Sequence, residues 1–465
     1  MKQDDSKSLK GGASRREFLK KTTLATAAVA AGSKILKTPV YGQTQAPAPP
    51  SAVGANNRLV VAYIGLGGQG MTHVRTQQTG AAANNIVQAA GCDLSAHRQA
   101  EAKAQVGGNF KTFKDYEELL AQKDIDAVTI ATVDHWHCKT AIDALEAGKH
   151  VYVEKPMTRY LNEAFDLHDT VKKTKKTLQV GSQGCSDGKW AFAASLIKDG
   201  KIGNLVLGQD SYMRNNKEGE WNYDLHGDWC NPGDLDWDKW QKPVKNKKAF
   251  DIDAFFRWRK YYPYCAGPLG DLFPHRLHPL MLATGNPEFP KRVVCLGQQP
   301  VHSDKDHVPP APLRDCPEDV QMIAEFPSGL ALIVTAGTIN EQGLNTVIRG
   351  NKATLYLSGN RVDLKPEKPY ADDMDPVTKE GITPTEDIGV HETNWFECIR
   401  SDGKQQPNAN IDLAIRVQTV ISLAEMSNRL NTMCLFDEKT RKVTTGDGKD
   451  VKEILPITYG TLDLS

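Results

Sequence analysis

Leu59-Val60-Val61-Ala62-Tyr63-Ile64 runs directly into Gly65-Leu66-Gly67-Gly68-Gln69-Gly70, and no other stretch limits the fold so sharply. Six apolar residues rich in β-branched side chains read as a strand. The G-x-G-x-x-G spacing that follows allows a tight turn and brings a helix N-terminus close to a pyrophosphate. Helix is expected from Met71 to Gln78 and a second strand from Ile86 to Cys92, closed by Asp93 23 residues after Gly70. A carboxylate there accepts hydrogen bonds from the adenosine ribose and repels a 2′-phosphate, so NAD is expected ahead of NADP. Arg98, which could offset such a phosphate, reads as a solvated helix residue.

The alternation continues with helix 116–122, strand 127–131, helix 138–147 and strand 150–153, which predicts an α/β Rossmann domain, a doubly wound parallel sheet, over residues 58–180. From about residue 204 the pattern changes to strands 204–214, 292–298, 320–326, 330–338, 345–349 and 353–365, with Pro327-Ser328-Gly329 as a hairpin turn. Helices 188–198, 271–284 and 411–429 would cover one face. Residues 181–465 are therefore expected to form an α+β C-terminal domain with a large, mostly antiparallel sheet. A chain of 465 residues is too long for one hydrophobic core.

Three further motifs stand at telling places: Asp134-His135-Trp136-His137 after the third strand, Glu154-Lys155-Pro156 after the fourth, and Gly270-Asp271-Leu272-Phe273-Pro274-His275 farther along. With the glycine turn they resemble the Gfo/Idh/MocA family of oxidoreductases, over residues 59 to about 440. The resemblance implies that Lys155 lies beside the nicotinamide and the reacting hydroxyl, followed by a proline that is often cis. It implies cofactor contacts from Gly65, Leu66, Gly67, Gly68, Gln69, Gly70, Asp93, Thr132, Asp134, His137, Glu154, Lys155 and Gln183. Trp258, Arg259 and Tyr264 match the stretch before the Asp/His helix and are expected to bind substrate. The family commonly has proline where this chain has Val133, so the turn before Asp134 is expected to differ.

Asp271 and His275 are four apart and on one helix would share a face. Oxidation of a secondary alcohol needs a base for the hydroxyl proton, and a histidine beside an orienting carboxylate fits, although the spacing alone suits a surface ion pair better. The ammonium of Lys155 would favour the developing negative charge on the same oxygen. His278 extends the face, but no further His or Cys completes a ligand set, so no metal is expected. Trp221, Trp229, Trp237, Trp240 and Trp258, five of the eight tryptophans, lie between residues 214 and 267. Their flat faces suit sugar C–H surfaces, or else pin a long loop.

Residues 1–57 hold nine basic and three acidic side chains, which leaves 48 basic against 54 acidic in the remainder, a balance that disfavours nucleic acid. Ser14-Arg15-Arg16-Glu17-Phe18-Leu19-Lys20 and the short apolar run Thr22 to Gly32 resemble a twin-arginine (Tat) signal peptide. The run is shorter than the roughly 20 residues of a membrane span, and a Pro/Gln/Ala-rich linker follows it. Export through the Tat machinery to a periplasmic or other extracytoplasmic space is expected. Nine cysteines without a C-x-x-C pair read as reduced and buried.

An exported nicotinamide enzyme lacks a soluble cofactor pool, which favours tightly bound NAD. The leading expectation is an oxidoreductase acting on a sugar or cyclitol hydroxyl. The alternatives are a redox-neutral glycoside hydrolase, in which transient C3 oxidation permits elimination and is reversed after water adds, and a catalytically silent cofactor-binding protein. A homo-oligomer through the second sheet is what the resemblance implies.

Overall fold

The computed structural model describes residues 57–230, 233–244, 247–299, 314–383 and 386–451. The twin-arginine segment and its linker lie outside these residues. Strands β1 (Leu59–Ile64), β2 (Ile86–Cys92), β3 (Lys111–Phe113), β4 (Ala127–Ile130), β5 (His150–Glu154) and β6 (Leu178–Gly181) form a parallel sheet in the order β3-β2-β1-β4-β5-β6. Helices α1 (Gly68–Gly80), α2 (Ala96–Val106), α3 (Tyr116–Leu120), α4 (Asp134–Glu146) and α5 (Leu161–Thr174) alternate with the strands. Every residue of β4 and β6 is buried, as a sheet covered on both faces requires. The strand order reverses between β1 and β4, where an open α/β sheet leaves a crevice at its carboxyl edge.

The chain then builds a mostly antiparallel sheet. After α6 (Gly188–Lys198) comes β7 (Leu205–Met213), followed by short helices α7 (Trp237–Trp240), α8 (Ile252–Phe256) and α9 (Pro268–Asp271), and by α10 (Pro274–Ala283). Strands β8 (Arg292–Gln298), β9 (Asp319–Glu325), β10 (Ala331–Gly337), β11 (Thr346–Gly350), β12 (Ala353–Ser358), β13 (Arg361–Pro366) and β14 (Val377–Lys379) precede α11 (Ile388–Arg400) and α12 (Ile411–Leu430), with β15 (Cys434–Asp437) and β16 (Lys442–Thr445) last. The sheet order is β14-β13-β12-β11-β7-β10-β9-β8-β15-β16, and β7 pairs with β10 in parallel. Helices α10 and α12 pack on one face. The other exposes Val294, Leu296, Ile323 and Tyr356.

Three expectations are corrected. The stretch 353–365 is two strands of a hairpin, because Gly359 turns at φ +53°. The expected helix 271–284 is broken: Pro274 has no N–H to continue the ladder, so α9 ends at Asp271 and His275 N bonds the Leu272 carbonyl at 3.2 Å. Val133 makes no difference to the turn before Asp134, since its φ of −75° lies in the range a proline ring would impose.

Helix α11 returns from the C-terminal part of the chain to the first sheet, where Trp395, Phe396 and Ile399 pack on Val61, Ile86, Ala127 and Tyr152. Burying an aromatic side chain of this size stabilises by roughly 1.5–3 kcal/mol, so α11 is a main fastening of that sheet. All nine cysteines are buried free thiols. No helix among the described residues is long and apolar enough to cross a membrane.

Candidate cofactor and active site

The glycine turn divides its labour. Gly65 stands at φ +90°, and a Cβ there would lie 2.6 Å from the Ala131 carbonyl oxygen, while one on Gly70 would lie 2.0 Å from the Gly65 carbonyl oxygen. Both positions therefore serve the close passage of strand, turn and helix. A Cβ on Gly68 would meet nothing within 4 Å, so this part of the turn is open floor beneath the unbonded N–H groups that begin α1. Leu66 is buried, and its N–H donates to Asp93 Oδ2 at 2.8 Å while Ser95 N donates to Oδ1 at 2.9 Å. The carboxylate thus braces the turn.

Arg98 differs from expectation. Its Nη1 is 4.0 Å from Asp93 Oδ2, and its guanidinium sits 4.9 Å from the Phe255 ring centre and 5.7 Å from that of Trp229. Aromatic faces and a carboxylate hold this cation at the end of β2, which no helical periodicity could reveal.

A cavity of about 900 Å³ opens over the turn, lined by Gly65, Gly67, Gly68, Gln69, Asp93 and Thr132 on one side and by Trp229, Trp240, Phe255, Trp258 and Arg259 on the other. That volume suits a large ligand. Among the described residues, Thr132 Oγ1, Asp134 Oδ2 and His275 Nδ1 are buried without a hydrogen-bond partner. The open glycine floor, the helix N-terminus and the orphaned Thr132 hydroxyl fit a dinucleotide.

Arg259 links this cavity to an ion cluster. Its Nε donates to Asp271 Oδ1 at 2.8 Å, and Lys155 Nζ donates to the same oxygen at 2.8 Å and to the Asp271 carbonyl at 3.0 Å. Burial works against the charge on Asp271, but the two cations outweigh it and hold the carboxyl far below its usual range. Burial likewise opposes the charge on Lys155, and Asp271 overcomes it, so the ammonium is held above 10.5. Asp134 lies beside the cluster, where a Cβ on Gly270 would be 3.5 Å from its Oδ2; burial raises its pKa. The carboxylate that spacing would give to His275 is therefore committed to Lys155. The imidazole instead stands edge-on to Tyr212 at 5.2 Å, with Nδ1 3.9 Å from Glu386 Oε2. Burial first, and then the charge of Lys155, lower its pKa to about 3, so it is a neutral proton acceptor.

Glu154 lies beneath the glycine helix with four donors. Its Oε1 accepts from His73 Nε2 at 2.9 Å and from Gln69 and Gln183 Nε2 at 3.1 Å each, and its Oε2 accepts from Lys155 N at 3.0 Å. The other ring nitrogen of His73 donates to Glu392 Oε1 at 2.6 Å, and Gln77 Nε2 donates there at 2.8 Å. Burial opposes the charge on His73, yet the bonds to Glu154 and Glu392 push it up to about 10, and His73 in turn holds Glu154 down to about 2 against burial. The hub joins α1, the Lys155 turn and α11. Glu154, Gln69 and Gln183 stood in recognisable motifs, whereas His73 and Glu392 carried no sequence signal.

Several expected contacts lie behind the cavity. His137 is buried, its ring nitrogens 2.7 Å from the Pro156 carbonyl and 3.1 Å from that of Thr132, where it ties the cis Lys155–Pro156 peptide to the Thr132 loop. Gln183 donates to Tyr152 Oη as well as to Glu154. Tyr264 packs within 4.7 Å of the Trp240 ring centre in a buried aromatic cluster. His278 points inward, with Nδ1 3.0 Å from Ser182 Oγ. Trp229, Trp240 and Trp258 line the cavity over the glycine turn, whereas Trp237 stacks on Trp240 and Trp221 is buried.

Residues 59–182 match the family model GFO_IDH_MocA, described as an oxidoreductase family with an NAD-binding Rossmann fold. Among curated proteins, the chain is similar to glycosyl hydrolase family 109 protein 2 of Shewanella sp. (strain ANA-3), with 29% identity over 216 residues, 43% of this chain and 46% of that protein. It also matches the alpha-N-acetylgalactosaminidase of Shewanella oneidensis, 31% identical over 115 residues, 23% of this chain and 25% of the other. The chain thus spans under half the length of these relatives. Among solved structures, an oxidoreductase domain protein from Kribbella flavida has TM-score 0.64 at 19% identity, covering 82% of this chain and all of its own. A levoglucosan dehydrogenase in complex with NADH and levoglucosan has TM-score 0.61 at 18% identity, covering 81% and 98%.

Proposed function

From a chain with the Gfo/Idh/MocA NAD-binding oxidoreductase fold, we propose an exported enzyme that acts on a secondary hydroxyl of a sugar or cyclitol with tightly held NAD. The observation that carries this reading is the Lys155–Asp271–Arg259 cluster, which Arg259 joins to the cavity over the glycine turn. When bound, a nicotinamide supplies the two-electron acceptor for the hydrogen on the alcohol carbon. The glycine floor and α1 would hold the pyrophosphate, Asp93 the ribose, and Thr132 Oγ1 a polar group of the ligand. Asp93 favours NAD at that corner, while Arg98, 4.0 Å from it, offsets part of that preference.

Lys155 donates a hydrogen bond to the reacting hydroxyl and stabilises the negative charge that grows there, with Asp271 fixing the ammonium in place. His275, neutral under ordinary conditions, takes the hydroxyl proton. Arg259 steadies Asp271 and borders the substrate.

The test is to identify any nicotinamide released when the purified protein is denatured, and to follow absorbance at 340 nm with a panel of sugars and cyclitols. His275→Ala should cut turnover by about 10²–10⁴-fold. Undiminished turnover removes His275 from the mechanism, and failure to bind any dinucleotide removes the redox reading.

The names of the curated relatives favour a second reading, a redox-neutral glycosidase. It would release aglycone from aryl glycosides in D2O with deuterium at C2 and no net change at 340 nm. The twin-arginine segment supports export, and the exposed apolar face of the ten-stranded sheet supports a homo-oligomer.

A further inference from the structure

We infer that the described residues 223–230, 233–244 and 247–258 act as a strap that walls in the adenosine half of the dinucleotide, so that the cofactor is retained between turnovers. This rests on the reading above that a dinucleotide occupies the cavity. The strap is fastened to the first domain at three points, all beyond the carboxyl ends of its strands. Trp229 stacks on His97 with ring centres 4.5 Å apart and planes 6° apart. Lys239 pairs with Asp115, the residue that caps α3. The Trp240 carbonyl accepts from His135 Nε2 at 2.9 Å and from Trp136 Nε1 at 2.7 Å.

The inner side of the strap is aromatic. Trp229, Trp240 and Phe255 face the cavity from the side opposite the glycine turn, and Phe255 holds the Arg98 guanidinium beside Asp93. In a sheet of this order the adenosine lies at the end of β2, where Asp93 stands. Flat rings and a pinned guanidinium at that place suit a purine and its charged neighbours. Trp229, Trp240 and Phe255 stand at the Asp93 end of the cavity, whereas His275 keeps other company, namely Tyr212, Arg276 and Glu386.

Retention is measured by loading the full chain with NADH, diluting it into excess unlabelled NAD, and following loss of the bound-nucleotide fluorescence. Trp229→Ala removes the stack on His97, and Lys239→Ala removes the ion pair without touching the aromatic cluster. Both should release NADH at least about tenfold faster than the parent chain, with the melting temperature of the nucleotide-free protein unchanged for Lys239→Ala. Should Trp229→Ala fail to fold, Lys239→Ala and His97→Ala decide. Release at the parent rate in the folded variants, or exchange by the parent within seconds, overturns the strap while leaving the oxidoreductase reading intact. If the parent binds neither NAD nor NADP, both fail together.

Discussion

Replacing His73 with alanine removes the one cation between two buried carboxylates, and its cost follows from the structure. In the folded chain the imidazole is raised from 6.5 to about 10, which at 1.36 kcal/mol per pH unit is about 5 kcal/mol in favour of the charged form. Seen from Glu154, lowered from 4.5 to about 2 by His73 first and then by Lys155, the net shift is about 3 kcal/mol. The two figures share the His73–Glu154 contact, while Glu392 adds to the first and Lys155 to the second, so they are not added. Their span agrees with the roughly 3–5 kcal/mol lost when one partner of a buried pair is deleted. Gln69 and Gln183 still donate to Glu154 in the variant, and Gln77 to Glu392, so the lower end, about 3 kcal/mol, is expected.

The sign follows from linkage. Because the folded value of His73 is raised, its contribution is present in full below pH 6.5 and is lost as pH climbs through about 10. Urea unfolding followed by tryptophan fluorescence at pH 6.5, 8 and 10 should show the parent midpoint falling across this window. The His73→Ala midpoint should start lower and stay nearly flat. Equal midpoints at pH 6.5, or parallel declines for the two proteins, would refute the account.

Asp271→Asn leaves only Glu154 to oppose burial and the charge of Arg259 at Lys155, so the alkaline limb of kcat/KM should move to lower pH while kcat drops about 10²-fold. In the parent, His275 is already lowered to about 3 and should add no acid limb above pH 4; a limb near pH 6.5 that disappears in His275→Ala would contradict this. Gly70→Ala drives a methyl group into the Gly65 carbonyl, and calorimetry should find dinucleotide affinity down more than about tenfold, with about 1–3 kcal/mol of stability lost. Leu296→Glu places a charge on the exposed apolar sheet face, and light scattering should show a shift toward monomer if that face joins copies.

The first sheet was legible because its signals are local. β1, the glycine turn and Asp93 lie within 35 residues, and each obeys a short-range rule about backbone freedom or strand burial. The ion cluster was partly legible, since Lys155, Asp271 and Arg259 sit in recognisable motifs. Their pairing was not, because the Pro274 break turns His275 away from Asp271 and gives that carboxylate to partners 116 and 12 positions away. The tryptophans between 221 and 258 announced an aromatic surface, but which crevice it faces depends on anchors at His97, Asp115 and His135 that no periodicity encodes. Arg98 was misread for the same reason.

Helix α11 bears on the order of synthesis. The hydrophobic face made by Val61, Ile86, Ala127 and Tyr152 emerges from the ribosome more than 230 residues before Trp395, its cover. A product cut after Gly181 would carry all six strands of the first sheet and still present that face to water. Such a fragment should cling to chaperones or to itself, so a minimal nucleotide-binding piece must carry residues 388–400 in addition to the contiguous N-terminal segment.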